Sequence, residues 1–377
     1  MDKLRRIFAL LLAVCLAAGF CGCSRDPAPP GANTATDPTR FYEEVRDDFL
    51  IDAEVAGFPA GSVPKVYQGI IRSFPEEQIN AFLAANQDAA VGWNSREDVL
   101  TRYNEASTAR GGSFYATEGI GAGKMFPEIF AYSLPQSDWW SRYYIYAGQN
   151  HYDTSSRFVF AHMFTEPRDF GFATAREAEE RVRDAVSKLG FNDLRLNRTL
   201  YIDHEILSQI TPILKQPEWQ PLKGGANITK EDWTEADDGY IFEFFPAIDG
   251  VPMVYPTLFF DTYTYCGASI LAWYQENGIV YLLINSCPMP EAVAEEPERI
   301  LPAAQALSTA RQKLGSILTH KNTVISKVSA EYFYVHDGSQ FLLRPVWVVY
   351  AKYTDTQLPE YPARTYIIID AITGQEY

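Results

Sequence analysis

The chain has 377 residues, of which 47% are hydrophobic, 14% aromatic and 21% charged, and this composition excludes a disordered or fibrous protein. Its 32 basic and 48 acidic residues give a formal net charge of −16, which disfavours binding to nucleic acid. Five cysteines in a chain of this length do not make a disulfide-dense scaffold. The length predicts two or three folding units, because a single core rarely exceeds about 250–300 residues.

The first 22 residues are typical of an export signal. A positively charged start is followed by residues 7–20, which are all apolar or small and are too few to span a membrane as a helix. Gly22-Cys23 then resembles the bacterial lipobox, with Phe20 where leucine is usual. By that resemblance, cleavage after Gly22 would leave Cys23 as the lipidated first residue. An ordinary cleaved signal and an uncleaved anchor are the alternatives.

Residues 23–40 are expected to form a flexible tether between this lipid and a folded body. They are rich in proline, alanine, threonine and glycine and have no apolar periodicity. Loss of the signal leaves 29 basic and 47 acidic residues, a net charge of −18. Such a body is repelled by an anionic lipid surface, so the lipid must hold it there. We therefore expect a lipid-anchored protein on the extracytoplasmic face of the cell membrane.

A β-hairpin is predicted around Asn277-Gly278, because two β-rich runs flank this dipeptide, which favours a type I′ turn. If Glu276 pairs with Ile279, Cys287 lies opposite Ala268, close to Cys266. A disulfide between Cys266 and Cys287 is then within reach, given a modest twist, and an oxidising exterior favours it. Two buried free thiols are the alternative, and no histidine-rich context marks either cysteine as catalytic.

Residues 41–170 are expected to form an N-terminal domain of mixed α+β structure. Residues 49–55 alternate as a strand does, and a capping pattern from Ser73 to Glu76 predicts a short helix through Ala85. Residues 139–164 are aromatic and strand-like. The aromatic residues from 126 to 164 are either a buried core or a sugar-stacking face, and the core is favoured.

Residues 174–290 and 299–377 each begin with an amphipathic helix that is followed by strand-like runs. In the first helix, Thr174 and Glu177 form a capping-box pattern. Because both segments have a helix followed by strands, the sequence predicts an α+β fold in which each of two antiparallel sheets is covered by one helix. The apolar positions of the two helices align at an offset of 125 residues: Ala178, Val182, Ala185 and Leu189 with Ala303, Leu307, Ala310 and Leu314.

The strands of the second repeat carry a resemblance to PepSY-type repeats. Residues 341–353 (FLLRPVWVVYAKY), followed by residues 366–374 (YIIIDAITG), look like the end of such a repeat, and residues 240–252 (YIFEFFPAIDGVP) resemble a strand of YycH/YycI-type and YpeB-like extracytoplasmic regulators. The resemblance covers about half the chain and implies two PepSY-like repeats and a binding or regulatory role. It implies no catalytic site, and the regulators' contact with a kinase inside the membrane does not carry over to a lipid anchor.

The chain contains only incomplete forms of known catalytic and metal-binding motifs. His204-Glu205 begins an HExxH zinc motif, but Ser208 replaces the second histidine. The context of Gly123-Lys124 is not that of a phosphate-binding loop, and the acidic run from 231 to 249 lacks EF-hand spacing. We therefore expect no catalytic residue, no metal and no cofactor.

The sequence thus predicts a tethered protein that modulates an envelope protein, such as a sensor kinase or a protease, or that senses an envelope ligand. An envelope hydrolase or a cell-wall glycan-binding protein is the alternative.

In the second repeat, Pro345 is expected to mark a sheet edge or a bulge. Trp347 is expected in the core, because Val346, Val348 and Val349 indicate a strand that is buried on both sides.

Overall fold

The chain folds as a mixed α+β protein, and the part that the structure describes contains four α-helices and two seven-stranded sheets. Residues 37–377 gather into one compact unit. The computed structural model describes residues 39–61, 63–70, 74–86, 113–117, 129–133, 161–214, 232–254, 258–259, 264–265, 268–285, 288–317, 320–336, 341–355 and 362–377.

Sheet I joins the two ends of the described chain. Its strands are β1 (Arg40–Arg46), β2 (Phe49–Ala56), β3 (Val66–Ile70), β13 (Met289–Glu295), β14 (His320–His336), β15 (Phe341–Asp355) and β16 (Pro362–Asp370). They are ordered β1-β2-β14-β15-β3-β13, and β16 pairs with β15 next to β3. All of the pairs are antiparallel except β2 with β14, which are parallel. The expectation of a purely antiparallel sheet is therefore wrong here.

Sheet II is built mostly from the middle of the chain. Its strands are β4 (Ser113–Thr117), β5 (Ile129–Ser133), β6 (Leu194–Ile202), β7 (Gly239–Ile248), β8 (Val251–Pro252), β11 (Ser269–Gln275) and β12 (Gly278–Asn285). They are ordered β4-β5-β12-β11-β7-β6, and β8 pairs with β7. The short strands β9 (Leu258–Phe259) and β10 (Thr264–Tyr265) pair only with each other.

The two sheets do not follow the segments expected from the sequence. The described strands of segment 41–170 are divided between the two sheets, since β1, β2 and β3 belong to sheet I and β4 and β5 to sheet II. The reason is pairing at long range: β2 lies against β14, and β5 against β12. A local hydrophobic pattern carries no information about such partners.

The four helices are α1 (Glu76–Ala85), α2 (Ala175–Lys188), α3 (His204–Leu214) and α4 (Ala303–Ser316). The capping box at the start of α2 is confirmed, because the Thr174 hydroxyl accepts from the Glu177 amide and the Glu177 carboxylate accepts from the Thr174 amide. The apolar residues of α2 are buried against sheet II, and those of α4 against sheet I. Each of these helices is followed by three strands that are antiparallel neighbours, β6-β7-β11 and β14-β15-β16. The second set is consecutive along the chain, whereas α3 lies between β6 and β7 and β8–β10 lie between β7 and β11.

Strand β15 is buried on both faces, as its sequence predicts. Val346 and Val348 belong to the larger core, which also contains sheet II, whereas Trp347 and Val349 belong to the core beneath α4. Trp347 is 1% exposed and its indole N–H donates to the Leu301 carbonyl over 2.8 Å. The prediction that Trp347 lies in the core is confirmed.

Pro345 lies inside β15 and marks neither an edge nor a bulge, so that expectation is wrong. It pairs with Tyr332 of β14 on one side. On the other side the neighbour of β15 changes, because β3 pairs with residues 341–343 and β16 with residues 346–354. The Pro345 carbonyl accepts from the Ala371 amide on that side. The N–H that proline lacks would point to the same side, towards the Ala371 carbonyl, which accepts instead from the Leu301 amide over 2.6 Å.

The hairpin of β11 and β12 is confirmed, but its turn and its register differ from the prediction. Neither Glu276 nor Asn277 has a positive φ among the described residues, and Gly278 has φ +113°, so the turn is not type I′. Next to the turn, Gln275 pairs with Gly278, two positions away from the predicted register. A bulge after Trp273 takes back one of these two positions, so Ser269 pairs with Asn285 rather than Ser286. A single inserted residue in a strand changes every partner beyond it, which local sequence does not reveal.

Candidate functional site

A polar cleft of about 530 Å³ opens where α2, the end of α1 and the β11–β12 turn meet. The turn is fixed to α1 by one buried side chain. The Asn86 amide group donates to the Ile279 carbonyl and accepts from the Ile279 amide, both over 2.8 Å. An asparagine that satisfies both backbone groups of one residue joins the end of α1 to the turn at two points.

The lining of the cleft carries more negative than positive charge. Glu177, Glu180 and Asp184 lie along one face of α2, Glu276 comes from the turn, and Arg181 is the cation of the lining. The spacing of the α2 residues by three or four positions places them on one side of the helix. The cleft is therefore suited to hydrogen-bonding and charged ligand groups rather than to an apolar ligand.

Most of the charges on α2 already have a partner. Glu180 pairs with Arg176 over 3.0 Å and Asp184 with Lys188 over 2.9 Å, in exposed pairs one helical turn apart. The Arg181 guanidinium donates to the buried Tyr274 hydroxyl over 2.9 Å, and this hydrogen bond raises the pKa of Arg181. Hydrogen bonds to the Thr174 backbone and side chain lower the pKa of Glu177. The charges of this helix face are thus satisfied by partners within the protein.

A second polar cluster lies at the start of α3 and contains His204. The Asp238 carboxylate oxygen Oδ1 lies 2.8 Å from His204 Nδ1 and accepts from the His204 backbone amide, also over 2.8 Å. Asp203 caps the helix by accepting from the amides of Glu205 and Ile206, and its other oxygen pairs with Arg168. The sequence placed His204 in an incomplete zinc motif, whereas its ring is engaged in holding a helix end.

The pKa values in this cluster are shifted by their neighbours. The hydrogen bond to Asp238 raises the pKa of His204, with further help from the charges of Asp203 and Glu205. Burial raises the pKa of Asp238, although the contacts with His204 act in the opposite direction. In the described part of the chain, no group of three or more His, Cys, Asp or Glu residues could hold a metal ion. Ser208, where a second zinc-binding histidine would stand, donates its hydroxyl to the His204 carbonyl.

Asp370, at the end of β16, has a structural environment. Asp370 is 1% exposed, and its carboxylate accepts from the Arg344 guanidinium over 2.6 Å, from the Tyr377 hydroxyl over 2.7 Å and from the amides of Ile372 and Thr373. Burial alone would raise the pKa of Asp370, but these hydrogen bonds lower it. The carboxylate therefore closes the turn after β16 and joins it to β15 and to the last residue.

The residues that the sequence singled out for modification lie outside the described residues. These are Cys23, the expected lipidation site, and Cys266 and Cys287, the expected disulfide pair. Of the aromatic segment 126–164, the structure describes the backbone of β5 and of a 3₁₀ turn at Ala161–Phe164, and it places Phe164 in the core. The end of that segment is thus helical rather than a strand.

The cleft was not predicted from the sequence. In the sequence, the charged residues of α2 predict the solvent-exposed side of an amphipathic helix, and the structure places them on such a side. What creates the concavity is the contact of Asn86 with Ile279, 193 positions away. Only the polar turn Glu276-Asn277 could have drawn attention to this region.

Comparison with known proteins gives the fold alone. No known protein family and no curated protein sequence matches the chain. The chain is similar to the crystal structure of an uncharacterized protein from Eubacterium rectale ATCC 33656, with a TM-score of 0.56 and 20% identity. That similarity covers 90% of this chain and 93% of the other. Within the described residues, no helix is both long and apolar enough to cross a membrane.

Proposed function

We propose that the chain is a lipoprotein, tethered through Cys23 to the extracytoplasmic face of the membrane, that binds and modulates another envelope protein. The observation that carries the binding role is the repeated order of elements. Helix α2 is followed by the antiparallel neighbours β6-β7-β11, with α3 inserted after β6 and β8–β10 inserted after β7, and α4 is followed by the consecutive strands β14-β15-β16. This order supports an arrangement of two PepSY-like repeats, which the sequence resembles and whose known relatives are regulators.

The environment of the motif residues also favours binding over catalysis. Asp370 is surrounded by Arg344, Tyr377 and two turn amides, which stabilise its charge and keep it from solvent. His204 and Asp238 hold the start of α3. A general base needs access to a substrate proton, and these groups are instead used to fasten elements together.

The expected tether fits this role. Between Cys23 and the first residue of β1 lie 16 residues, which span at most roughly 55 Å when extended. The mature net charge of −18 repels an anionic lipid surface. A body held in this way can search a layer of tens of ångströms above the membrane for a partner without lying on the lipid.

The location is tested by labelling cells with a fatty-acid analogue. The wild-type chain should incorporate the label, and Cys23→Ala should abolish it. Cys21→Ala is the matched control, because it removes a neighbouring thiol but leaves Gly22-Cys23 intact. Label that persists in Cys23→Ala would show that the anchor is not the lipid on this residue.

The binding role is tested by chemical cross-linking of the full chain in intact cells, followed by mass spectrometry. A membrane-associated protein that is captured through the cleft should be lost from Asp184→Lys, which reverses a charge in the cleft. It should be retained by Glu291→Lys, which makes the same change on the exposed strand β13. Capture that neither variant alters would exclude the cleft as the contact. Binding to purified cell-wall glycan with no protein partner would replace the proposal.

A further inference from the structure

The start of α3 contains two buried carboxylates and one permanent cation. Asp203 is 6% and Asp238 is 8% exposed. Arg168, from the segment before α2, pairs with Asp203. Arginine stays charged throughout the physiological range, so it offsets one of the two negative charges at every relevant pH. The other charge has His204 as its nearest partner.

We propose that His204 and Asp238 form a pH-responsive latch that holds the start of α3 against the segment leading into β7. When His204 is protonated, the two positive charges of Arg168 and His204 balance the two negative charges of the aspartates. With a neutral His204 the same buried carboxylates face one cation. The Nδ1 hydrogen bond to Asp238 survives, but the ion pair does not. The latch is therefore tight in mild acid and loosens as the pH rises.

The direction of this pH dependence follows from the groups that face the imidazole ring of His204. Asp238 comes from the segment before β7, Asp203 from the cap of α3, and Glu205 from α3 itself, and all three favour the protonated ring. Only burial opposes it, and the ring is about a quarter exposed. Because the folded state holds the proton more tightly than the unfolded chain, the stabilisation is complete below the ordinary histidine pKa and is lost as the pH rises through the folded value.

Asp238 sets the lower limit of the pH range in which the latch is tight. Its carboxylate must be ionised to pair with His204, and burial raises its pKa above the ordinary aspartate value of 3.8. In stronger acid the carboxyl group becomes protonated, and the ion pair is lost from that side. The latch thus has a range of greatest strength between the two pKa values, where one group has lost its proton and the other still holds it.

The element that the latch holds is α3, which lies between β6 and β7 and is joined to each of them through the cluster. Ile202 of β6 directly precedes Asp203, and Asp238 directly precedes β7. Release of the His204 backbone amide and ring from Asp238 would free the first turn of α3 while its apolar side, including Leu207 and Ile210, remains in the core. A local opening of this kind costs less than global unfolding and is detected by amide exchange.

The experiment combines histidine NMR titration with hydrogen exchange on the full chain between pH 5.5 and 8. His204 should titrate above 6.5, and the protection of the Leu207 amide, which donates to the Asp203 carbonyl in the first turn of α3, should fall about tenfold for each unit by which folding raises that pKa. His204→Gln should remove this pH dependence, whereas His336→Gln, a substitution in β14, should leave it unchanged. Amides of α2 serve as the internal reference.

Asp238→Asn keeps the size of the side chain and provides a second route if His204→Gln does not fold. In that variant His204 should titrate below its wild-type value, and exchange from α3 should lose its pH dependence. An α3 protection profile that is the same in wild type and His204→Gln would overturn the latch. Its physiological use rests on the proposed extracytoplasmic location, but its existence does not, so failure of the lipid-labelling test would leave these measurements unaffected.

Discussion

Replacement of Glu331 by glutamine should stabilise the protein at high pH and not at low pH. The carboxyl group lies on β14, is 3% exposed and accepts a 2.5 Å hydrogen bond from the Tyr350 hydroxyl. Burial raises the pKa of Glu331 from 4.5 to about 7, against the opposing effects of the Tyr350 hydrogen bond and the Lys327 charge. The folded protein therefore retains a proton here that the unfolded chain has already released.

The size of the effect follows from this difference. The stability provided by the bound proton is complete below pH 4.5 and is lost as the pH rises to about 7. A difference of about 2.5 pKa units corresponds to roughly 3 kcal/mol in the free energy of unfolding. Glutamine keeps an oxygen that accepts from Tyr350 but does not ionise. Between pH 5.5 and 8, Glu331→Gln should therefore gain roughly 2 kcal/mol relative to wild type, since about 1.5 of those units fall in this interval.

Urea unfolding at pH 5.5, 6.5, 7.5 and 8 measures the free energy of both proteins, and the difference between them cancels the pH dependence of all other groups. Glu291→Gln, on the exposed strand β13, is the matched control and should give a difference that is independent of pH. The free energies of unfolding of Glu331→Gln and wild type could also differ by the same amount at every pH in this range. That result would refute the assignment of a near-neutral pKa to Glu331.

Three further changes follow from the same structure. Asn86→Ala should destabilise the protein by about 1–3 kcal/mol, because it leaves the buried amide and carbonyl of Ile279 without partners, and urea unfolding would detect this. Asp370→Asn should cost about 3 kcal/mol at neutral pH, because it leaves the partly buried Arg344 guanidinium with the more exposed Glu295 carboxylate, 3.7 Å away, as its ion-pair partner, and the cost relative to wild type should shrink in acid as the wild-type carboxylate is protonated. If Cys266 and Cys287 are bonded, alkylation of the unfolded mature chain should label two more thiols after reduction than before, whereas equal labelling would show free thiols.

Helices and strand interiors were predictable because their signals are local. The Thr174–Glu177 capping box needs only four consecutive residues, and it forms as expected. The apolar run around Trp347 indicates burial on both faces, and each face has its own core. In these cases the residues that form the element also contain the information that specifies it.

The arrangement of the elements could not be predicted in the same way. The parallel pairing of β2 with β14 joins segments at opposite ends of the chain, and nothing within residues 49–56 names that partner. The bulge after Trp273 depends on how β12 lies between β11 and β5. The cleft depends on Asn86, a helix-terminal residue whose contact is at long range. Local chemistry gives the elements, and their assembly depends on long-range contacts.

The pairing of β2 with β14 sets the order in which this protein can become folded during its synthesis. Phe49 lies opposite Thr323, which is made 274 residues later. At about 5–20 residues per second, the β1–β2 hairpin waits roughly 15–55 s for the strand that covers its open side. During that time the apolar side chains of Phe49 and Ile51, which are 1% exposed in the finished protein, have no core to enter. Any chain that ends before residue 320 keeps this hairpin permanently uncovered, so premature termination should yield insoluble fragments rather than a smaller folded domain.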